Sequence, residues 1–219
     1  MQDNKDKHSD KTNRRAFITS GAVGGTLGML ASAADAGMPT PKETAGPFYP
    51  VMVQKDKDFD LTIIEGHKKS AKGQAIMIQG QVLDTNGKPI EDATVDLWQA
   101  NAAGKYRHPH DPNPVPIDEN FQGWAIVPSG KEGKFQFKTI IPGAYPASKT
   151  WMRPPHIHFK VSKRGFVEIV TQMYFPGHKL NEPDRLLNRK TAAEQKMMIA
   201  KKTPGDIDVY AYNIVLEKA

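Results

Sequence analysis

The sequence predicts a mainly β protein: a single β-sandwich domain with long loops and one short C-terminal helix. Several short segments alternate apolar and polar residues, as strands with one buried face do, and turn signals separate them. The 219 residues include 17 prolines and 18 glycines, which favour a loop-rich β protein over a helical bundle. One capping box near the C-terminus is the clearest helix signal.

The first two predicted strands are separated by a hairpin-type turn. Gln74–Leu83 is rich in β-forming residues, and the segment after it contains Asn86-Gly87, the strongest short-range hairpin signal. Ala93–Ala100 then alternates, with Val95 and Leu97 on one face. We therefore expect two strands here, the second with a distinct apolar face.

The rest of the chain supplies a long loop, further strands and the helix. Asn101–Gly123 carries four prolines, and a structureless loop of this length in a compact domain is usually functional or disordered. The capping box Thr191–Glu194 predicts a short helix that ends near Lys202. The remaining predicted strands are Gly133–Ile140, His156–Ser162, Val167–Phe175 and Asp206–Leu216.

One of these strands carries two histidines, two residues apart. Side chains alternate between the faces of a strand, so His156 and His158 point to one face and Ile157 and Phe159 to the other. The apolar pair predicts a buried face, which fixes the register of the strand. Two imidazoles on the opposite face are close enough to share a metal ion.

Composition restricts the ligands that the chain can offer to a metal. The chain has no cysteine, which excludes disulfides, thiolate zinc sites, iron–sulfur clusters and cysteine nucleophiles. Any metal must therefore be held by nitrogen and oxygen. The net charge of +6 is spread along the chain without a basic block, so we expect no nucleic-acid partner and a mild attraction for small anionic substrates.

Residues 1–36 predict an export signal. Arg14-Arg15 precedes an uncharged run from Ala16 to Ala34, and two small-residue cleavage patterns lie between Ala31 and Ala36. An arginine pair in this position is typical of a twin-arginine signal. The run is too weakly hydrophobic for a stable membrane anchor, although an uncleaved N-terminal anchor is the alternative. We expect an exported protein, periplasmic or secreted, with its domain in residues 37–219.

Several interpretations of the histidine pair are open on chemistry alone. A cupin-like site would need a carboxylate four or five residues after His158, where Ser162 and Lys163 stand instead. A zinc enzyme with three histidines would recruit a third one from elsewhere in the chain. The histidines available for that role are His108, His110 and His178.

Two tyrosines are further candidates for the same metal. Tyr145 follows a Pro-Gly break ahead of the histidines, and Tyr106 stands near the start of the long loop. Taken singly, each is better explained as an ordinary half-buried tyrosine whose hydroxyl has a hydrogen-bond partner. As a set with two imidazoles they suit ferric iron, because two phenolates offset part of the charge of this hard cation.

Three more side chains are candidates for the walls of this site. Arg153 precedes His156 by three residues, and it is either a structural ion-pair partner or a group that stabilises negative charge beside a metal-bound anion. Gln172 and Tyr174 alternate onto one face of the neighbouring strand. There they line the same pocket or simply fill it.

At this point the chain resembles the intradiol ring-cleavage dioxygenases, and within them the protocatechuate 3,4-dioxygenase type. The similarity extends from Thr44 over essentially the rest of the chain, with its motifs in the family's order. The matching segments are Thr44–Pro50, Val95–His108, Lys138–Pro146, Arg153–Phe159 and Thr171–Phe175.

The resemblance implies a non-haem Fe(III) enzyme that cleaves a catechol, protocatechuate first among the candidates, with O₂ to give a cis,cis-muconate. Tyr145 would leave the metal as the diol binds and take one of its protons, Arg153 would stabilise negative charge on the ring, and Gln172 would help to line the pocket. The iron ligands implied by the matching motifs are Tyr106, Tyr145, His156 and His158.

Two further points of the resemblance concern substrate and assembly. Protocatechuate enzymes of the family typically carry an aromatic residue directly after the Tyr-Pro pair, whereas this chain has Ala147, with Trp151 as the nearest substitute. These enzymes pair an iron-binding (beta) subunit, which this chain resembles, with a related subunit that lacks the site. The resemblance therefore implies a homo-oligomer or a hetero-oligomer with a related subunit.

A different class of protein would explain part of the pattern. A non-enzymatic β-sandwich module of the transthyretin or carboxypeptidase-regulatory kind shares the strand patterns of Gly80–Gly87 and Phe135–Tyr145. Such a module needs no metal. It does not account for Tyr106, Arg153 and the two histidines, so the two hypotheses differ in whether these residues meet in the fold.

Overall fold

The structure is a computed structural model that describes residues 37–52, 54 and 56–219. The predicted export signal, residues 1–36, lies outside the described residues. The described chain forms eleven strands, one α-helix and two single-turn 3₁₀ segments. The mainly β class and the sandwich architecture predicted from the sequence are confirmed.

Strand β1 (Ala75–Asp84) is the centre of a five-stranded sheet. β4 (Lys134–Ile140) pairs with one of its edges in antiparallel orientation. Along the other edge run β10 (Asp208–Ala211) and then β11 (Ile214–Leu216), both parallel to β1, and β9 (Lys201–Thr203) pairs with β10. The sheet therefore brings the first strand of the domain against its C-terminal strands.

The second sheet has four antiparallel strands and carries the histidines. Its order is β3 (Trp124–Pro128), β2 (Thr94–Trp98), β7 (His156–Ser162) and β8 (Ile169–Tyr174). β7 is an inner strand, so its backbone is hydrogen-bonded on both edges. This double pairing fixes the direction of every side chain that β7 carries.

The apolar faces of the two sheets form one core. Ile78 of β1 and Phe137 of β4 belong to the same buried cluster as Leu97 of β2 and Phe159 of β7. Each fully buried side chain of this kind contributes roughly 1.5–3 kcal/mol to the free energy of folding. The alternation predicted for β2 and β7 is confirmed, because the histidines lie on the face opposite this core.

Helix α1 (Ala192–Met198) begins at the predicted capping box but ends before the predicted boundary near Lys202. Thr191 accepts a hydrogen bond from the backbone of Glu194, whose carboxylate accepts one in return. After Met198 the backbone becomes extended, because the following residues pair with Tyr174 and with β10 instead of continuing the helix. Within the described residues, no helix is long and apolar enough to cross a membrane.

The predicted C-terminal strand Asp206–Leu216 is two strands, and the interruption has a local cause. The carbonyl oxygen of Tyr212 lies so close to Gly80 of β1 that any side chain on Gly80 would collide with it. The side chain of Asn213 then replaces a backbone acceptor, taking a hydrogen bond from the backbone N–H of Gln81 at 3.0 Å. The ladder along β1 is therefore broken between β10 and β11.

Strand β3 and the hairpin in residues 145–153 have no clear sequence pattern. β3 is a five-residue, mostly apolar stretch directly after the long loop, too short to show periodicity. β5 (Tyr145–Ser148) and β6 (Trp151–Arg153) form a small hairpin with an irregular register between Pro146 and Ser148. This hairpin matters for the site, because it carries Tyr145 and Arg153.

Candidate functional site

Four of the side chains singled out in the sequence meet on the outer face of the four-stranded sheet. His156 and His158 project from β7, Tyr145 from β5 and Tyr106 from the long loop, and all four are buried. The Nε2 atoms of the two histidines are 3.2 Å apart, and Tyr106 Oη is 3.4 Å from His156 Nε2. The rings of Tyr106 and Tyr145 have centroids 5.5 Å apart. Two nitrogen and two oxygen donors thus converge.

The register of the sheet explains which side chains surround the histidines. Trp98 of β2 and Gln172 of β8 are the cross-strand neighbours of His158, and Tyr174 is that of His156. The Trp98 indole stacks on the His158 imidazole, with ring centroids 4.8 Å apart and an interplanar angle of 8°. This stack covers one side of the ring and limits its rotation.

The His156 ring is oriented by its own backbone neighbourhood. Nδ1 lies 2.7 Å from the carbonyl oxygen of Pro154. Because a carbonyl oxygen only accepts, Nδ1 carries the proton and Nε2 presents its lone pair to the site. Carbonyl partners of this kind set the tautomer of metal-binding histidines. In His158, by contrast, the buried Nδ1 has no hydrogen-bond partner among the described residues.

Tyr106 reaches the site because the long loop is tied down by its own side chains. Asn101 Oδ1 accepts hydrogen bonds from the backbone N–H groups of Ala103 and Lys105. Asp111 accepts one from the backbone N–H of Tyr106 at 2.7 Å. The loop is thus ordered, and this turn directs the Tyr106 ring towards β7.

The β5–β6 hairpin places an arginine beside the tyrosines. Tyr145 and Arg153 are direct cross-strand partners. Arg153 is 3% exposed, and its Nε donates to Asp184 Oδ2 at 2.9 Å. Its Nη2 donates to Gln172 Oε1 at 2.6 Å and to Tyr174 Oη at 3.0 Å. The guanidinium is therefore held in one position by three side chains.

No sequence pattern points to Asp184, which completes this network. It lies in the loop after β8 and is fully buried. In addition to Arg153 it accepts hydrogen bonds from the backbone N–H groups of Leu186 and Leu187 at 3.1 and 2.9 Å. A buried carboxylate normally needs a charged partner, and Arg153 is that partner.

The segment before β1 closes another side of the site. The Phe48 ring lies 5.1 Å from that of Tyr106 and 6.1 Å from that of Tyr145. Gln172 Nε2 donates to the carbonyl oxygen of Thr44 at 2.8 Å, so the same amide holds this segment and Arg153. Phe48 lies in one of the motifs that carry the family resemblance, which is the only sequence signal for its position.

Burial determines the protonation of the four donors. Burial lowers the pKa of His158 to about 3 and that of His156 well below its usual value, and the nearby charge of Arg153 adds to both effects. Burial also raises the pKa of Tyr106 and Tyr145. The histidines are therefore neutral, with lone pairs free for a cation, whereas the phenols ionise only if a cation lies beside them.

These donors fit a hard cation held by nitrogen and oxygen. The Nε2 atoms of the two neutral imidazoles face each other at 3.2 Å, with Tyr106 Oη 3.4 Å from that of His156, and a shared cation would satisfy both nitrogen lone pairs. Across the described residues, no three His, Cys, Asp or Glu side chains are placed to hold a metal ion. The three-histidine zinc alternative is therefore not formed by His108, His110 or His178.

A cavity of about 260 Å³ lies elsewhere, between the segment Met38–Lys42 and strands β8 and β11. Its lining contains no histidine, tyrosine or arginine. The chemistry-bearing side chains are therefore at the buried cluster on β7, and we place the functional site there.

Comparison with known proteins identifies the family. A family model described as Dioxygenase matches residues 44–218 of the chain. The chain belongs to the intradiol ring-cleavage dioxygenases. The match includes the tyrosines, the histidines and Arg153, and not only the strands that a non-enzymatic sandwich module would explain.

Individual relatives of this intradiol family agree with the assignment. The chain is 40% identical over 148 residues to a protocatechuate 3,4-dioxygenase beta chain of Burkholderia cepacia, covering 66% of this chain and 63% of that one. The dioxygenase domain of a carbohydrate-binding fusion protein from Streptomyces sp. SirexAA-E is 26% identical, with a TM-score of 0.62 over 83% of this chain and all of that one. An intradiol ring-cleavage dioxygenase from Tetranychus urticae shares the fold, with 21% identity and a TM-score of 0.64 over 82% of this chain and 95% of that one.

The match to the curated intradiol relatives is partial in length. The chain spans less than two thirds of the Burkholderia relative, and 47% and 59% of two further relatives. The departure noted after the Tyr-Pro pair falls on the β5–β6 hairpin, where Ala147 is exposed and Trp151 is half-buried. The two residues named in that departure therefore both lie on the hairpin that carries Tyr145 and Arg153.

Proposed function

We propose that this protein is a non-haem Fe(III) dioxygenase that opens the ring of a catechol between its two hydroxyl-bearing carbons. The observation that carries the proposal is the convergence of two histidine Nε2 atoms, 3.2 Å apart, with two buried tyrosines. His156 and His158 would hold the metal with Tyr106 and Tyr145. When bound, ferric iron supplies the electron-accepting centre that lets an aromatic diol react with O₂.

The protein groups around the diol have distinct tasks in this proposal. Tyr145 is buried with 7% of its surface exposed, and in its ionised form its Oη would accept a proton from one diol hydroxyl. Tyr106 is held by its loop and stays in place. The tautomer of His156 is set by Pro154, so its Nε2 is available as a ligand without any loss of a proton.

Arg153 is the group that stabilises negative charge as the ring is attacked. It is buried, and its orientation is fixed before substrate arrives. A fixed charge in a site that excludes water stabilises a developing anion more than the same charge in solvent does. Gln172 orients Arg153. Its amide oxygen accepts a hydrogen bond from the guanidinium, and its amide nitrogen donates one to the carbonyl oxygen of Thr44.

Protocatechuate is the substrate that we propose, with catechol as the neutral comparison. The support is the 40% identity to a protocatechuate 3,4-dioxygenase beta chain. The positive net charge of the chain favours the approach of an anionic diol.

The test is spectroscopic and kinetic. After loading with ferric iron, the purified protein is expected to absorb visible light through tyrosinate-to-iron charge transfer and to consume O₂ with one or more of catechol, protocatechuate, hydroxyquinol and chlorocatechols. Mass spectrometry of the product should show both oxygen atoms of O₂ in an open-chain diacid. A colourless, inactive protein after iron loading would exclude the proposal.

A further inference from the structure

The β5–β6 hairpin brings a second arginine close to the site. The guanidinium carbons of Arg153 and Arg185 each lie 5.4 Å from the ring centroid of Trp151. Arg153 is the buried arginine of the site, whereas Arg185 is exposed. The Trp151 indole thus contacts two guanidinium groups, the buried one of Arg153 beside the tyrosines and the solvent-exposed one of Arg185.

The two arginines differ in how their charge is balanced. Arg153 is paired with the buried carboxylate of Asp184 at 2.9 Å. For Arg185, the next residue in the chain, no carboxylate of the described residues lies within ion-pair distance. Its side chain contacts Thr150 Oγ1 at 3.4 Å and the Trp151 ring. The positive charge of Arg185 is therefore held in place but not neutralised.

Trp151 itself has an unused donor. Its Nε1 is shielded from solvent and has no hydrogen-bond partner among the described residues. An indole nitrogen can only donate, and a shielded donor without an acceptor costs about 1–3 kcal/mol. The indole N–H lacks a hydrogen-bond acceptor and the guanidinium lacks a counter-ion, and an anionic oxygen would satisfy either group.

We propose that Arg185 and Trp151 form a subsite for the anionic substituent of a ring-substituted catechol, so that this chain selects carboxylated over neutral diols. The inference rests on the proposed function and assigns its specificity to residues outside the metal cluster. Arginine binds a carboxylate through two parallel N–H donors, a geometry that lysine cannot reproduce. Trp151 connects this subsite to Arg153, beside which the diol ring would lie.

The experiment compares one anionic and one neutral diol in three proteins. Wild type, Arg185→Gln and Arg164→Gln are loaded with iron, and kcat/KM is measured with protocatechuate and with catechol. Dissociation constants for both diols are measured by calorimetry without O₂, where no turnover occurs. Arg164 lies in the turn after β7 and its replacement removes the same charge from the molecule.

Arg185→Gln is expected to lower kcat/KM for protocatechuate and to weaken its anaerobic binding at least tenfold, about 1.4 kcal/mol. Catechol should change by less than twofold, and Arg164→Gln should change neither diol. Trp151→Phe keeps the ring but removes the N–H, and it should weaken protocatechuate binding alone by a smaller factor.

The outcomes separate this inference from the proposed function. Equal losses for both diols, or no loss for protocatechuate, would overturn the subsite. A wild-type protein that cleaves catechol but neither binds nor cleaves protocatechuate would overturn the subsite while the proposed function stands. A protein that binds protocatechuate through Arg185 but consumes no O₂ would contradict the proposed function and support the subsite.

Discussion

The two faces of strand β7 are equally buried but chemically opposite. On one face, Ile157 and Phe159 are fully buried among other apolar side chains of the core. On the other, His156 and His158 are each 2% exposed, yet they are surrounded by polar and aromatic groups. The first face needs only close packing, whereas every polar atom of the second face needs a partner.

The site face is organised by satisfied hydrogen bonds, with exceptions at the cluster of two histidines and two tyrosines that we propose as the metal site. Arg153, Gln172 and Asp184 use their polar atoms on one another or on backbone groups. The two histidine Nε2 atoms instead face each other. Hydrogen bonds thus stabilise most of this face without a metal. The histidine Nε2 lone pairs are left where a cation would bind.

The largest effect is expected when one candidate metal ligand is removed from the site face. His158→Ala is expected to abolish iron binding and O₂ consumption, a loss larger than the ~10–100-fold that outer-sphere substitutions cause. The free energy of unfolding of the metal-free protein should change less than for a core substitution, because no described residue hydrogen-bonds to His158 Nδ1. Iron content, oxygen uptake and urea unfolding measure the three quantities.

Retention of iron and activity in His158→Ala would show that the cluster on β7 is not the metal site. The control is Lys160→Met, two residues further along the same face, where the side chain contacts Tyr49 and Asp96 but not the four donors. This control should keep its iron.

The adjacent residue tests the opposite face. Phe159→Ala is expected to lower the free energy of unfolding by about 3–5 kcal/mol, because it leaves a cavity between the two sheets. The fraction that remains folded should still bind iron, since the Phe159 side chain points away from the donors. Urea unfolding, together with iron content per folded molecule at low temperature, checks both statements. Loss of iron from a folded Phe159→Ala protein would show that the two faces are not independent.

The alternation of β7 and β2 was predictable because strand periodicity is local, and so was the pairing of the two histidines on one face. Tyr106 is fifty residues from His156, so no spacing rule could bring it to the site. Its chemistry made it one candidate ligand, and the family resemblance implied its place. Asp184 has no local signal, since its partner Arg153 lies 31 residues away. The β5–β6 hairpin is too short and irregular for a periodic pattern. These elements depend on long-range contacts, which outweigh local propensity.

Two buried aspartates allow the same chemical change to be made on and off the site face. Asp184→Asn leaves Arg153 without its counter-ion, and breaking a buried pair costs about 3 kcal/mol or more. It should also lower kcat, on the order of tenfold or more, with a smaller change in KM, because the guanidinium loses its fixed orientation. Asp84→Asn, at the end of β1 where the chain turns, should leave kcat and KM unchanged. Equal kinetics in both variants would show that Asp184 has only a structural role.

The smallest expected effect is the pH dependence of that turn. Asp84 Oδ1 accepts hydrogen bonds from the backbone N–H groups of Lys88 and Asn86, at 2.9 and 2.8 Å, and these bonds lower the pKa of its carboxyl, the bond from Lys88 most. A carboxyl with a lowered pKa in the folded state stabilises the protein above its unfolded pKa of about 3.9, and this stabilisation is lost as the pH falls through the folded value.

Metal-free wild type should therefore be more stable than Asp84→Asn at pH 7, by about 1 kcal/mol, since asparagine retains the acceptor but not its charge. The difference should shrink as the pH is lowered below about 4, because protonated Asp84 and asparagine are both neutral acceptors. Urea unfolding of both proteins at pH 7, 5 and 3 measures it. A difference that stays constant over this range would mean that the Asp84 charge does not stabilise the turn, and that the turn depends only on the geometry of its backbone hydrogen bonds.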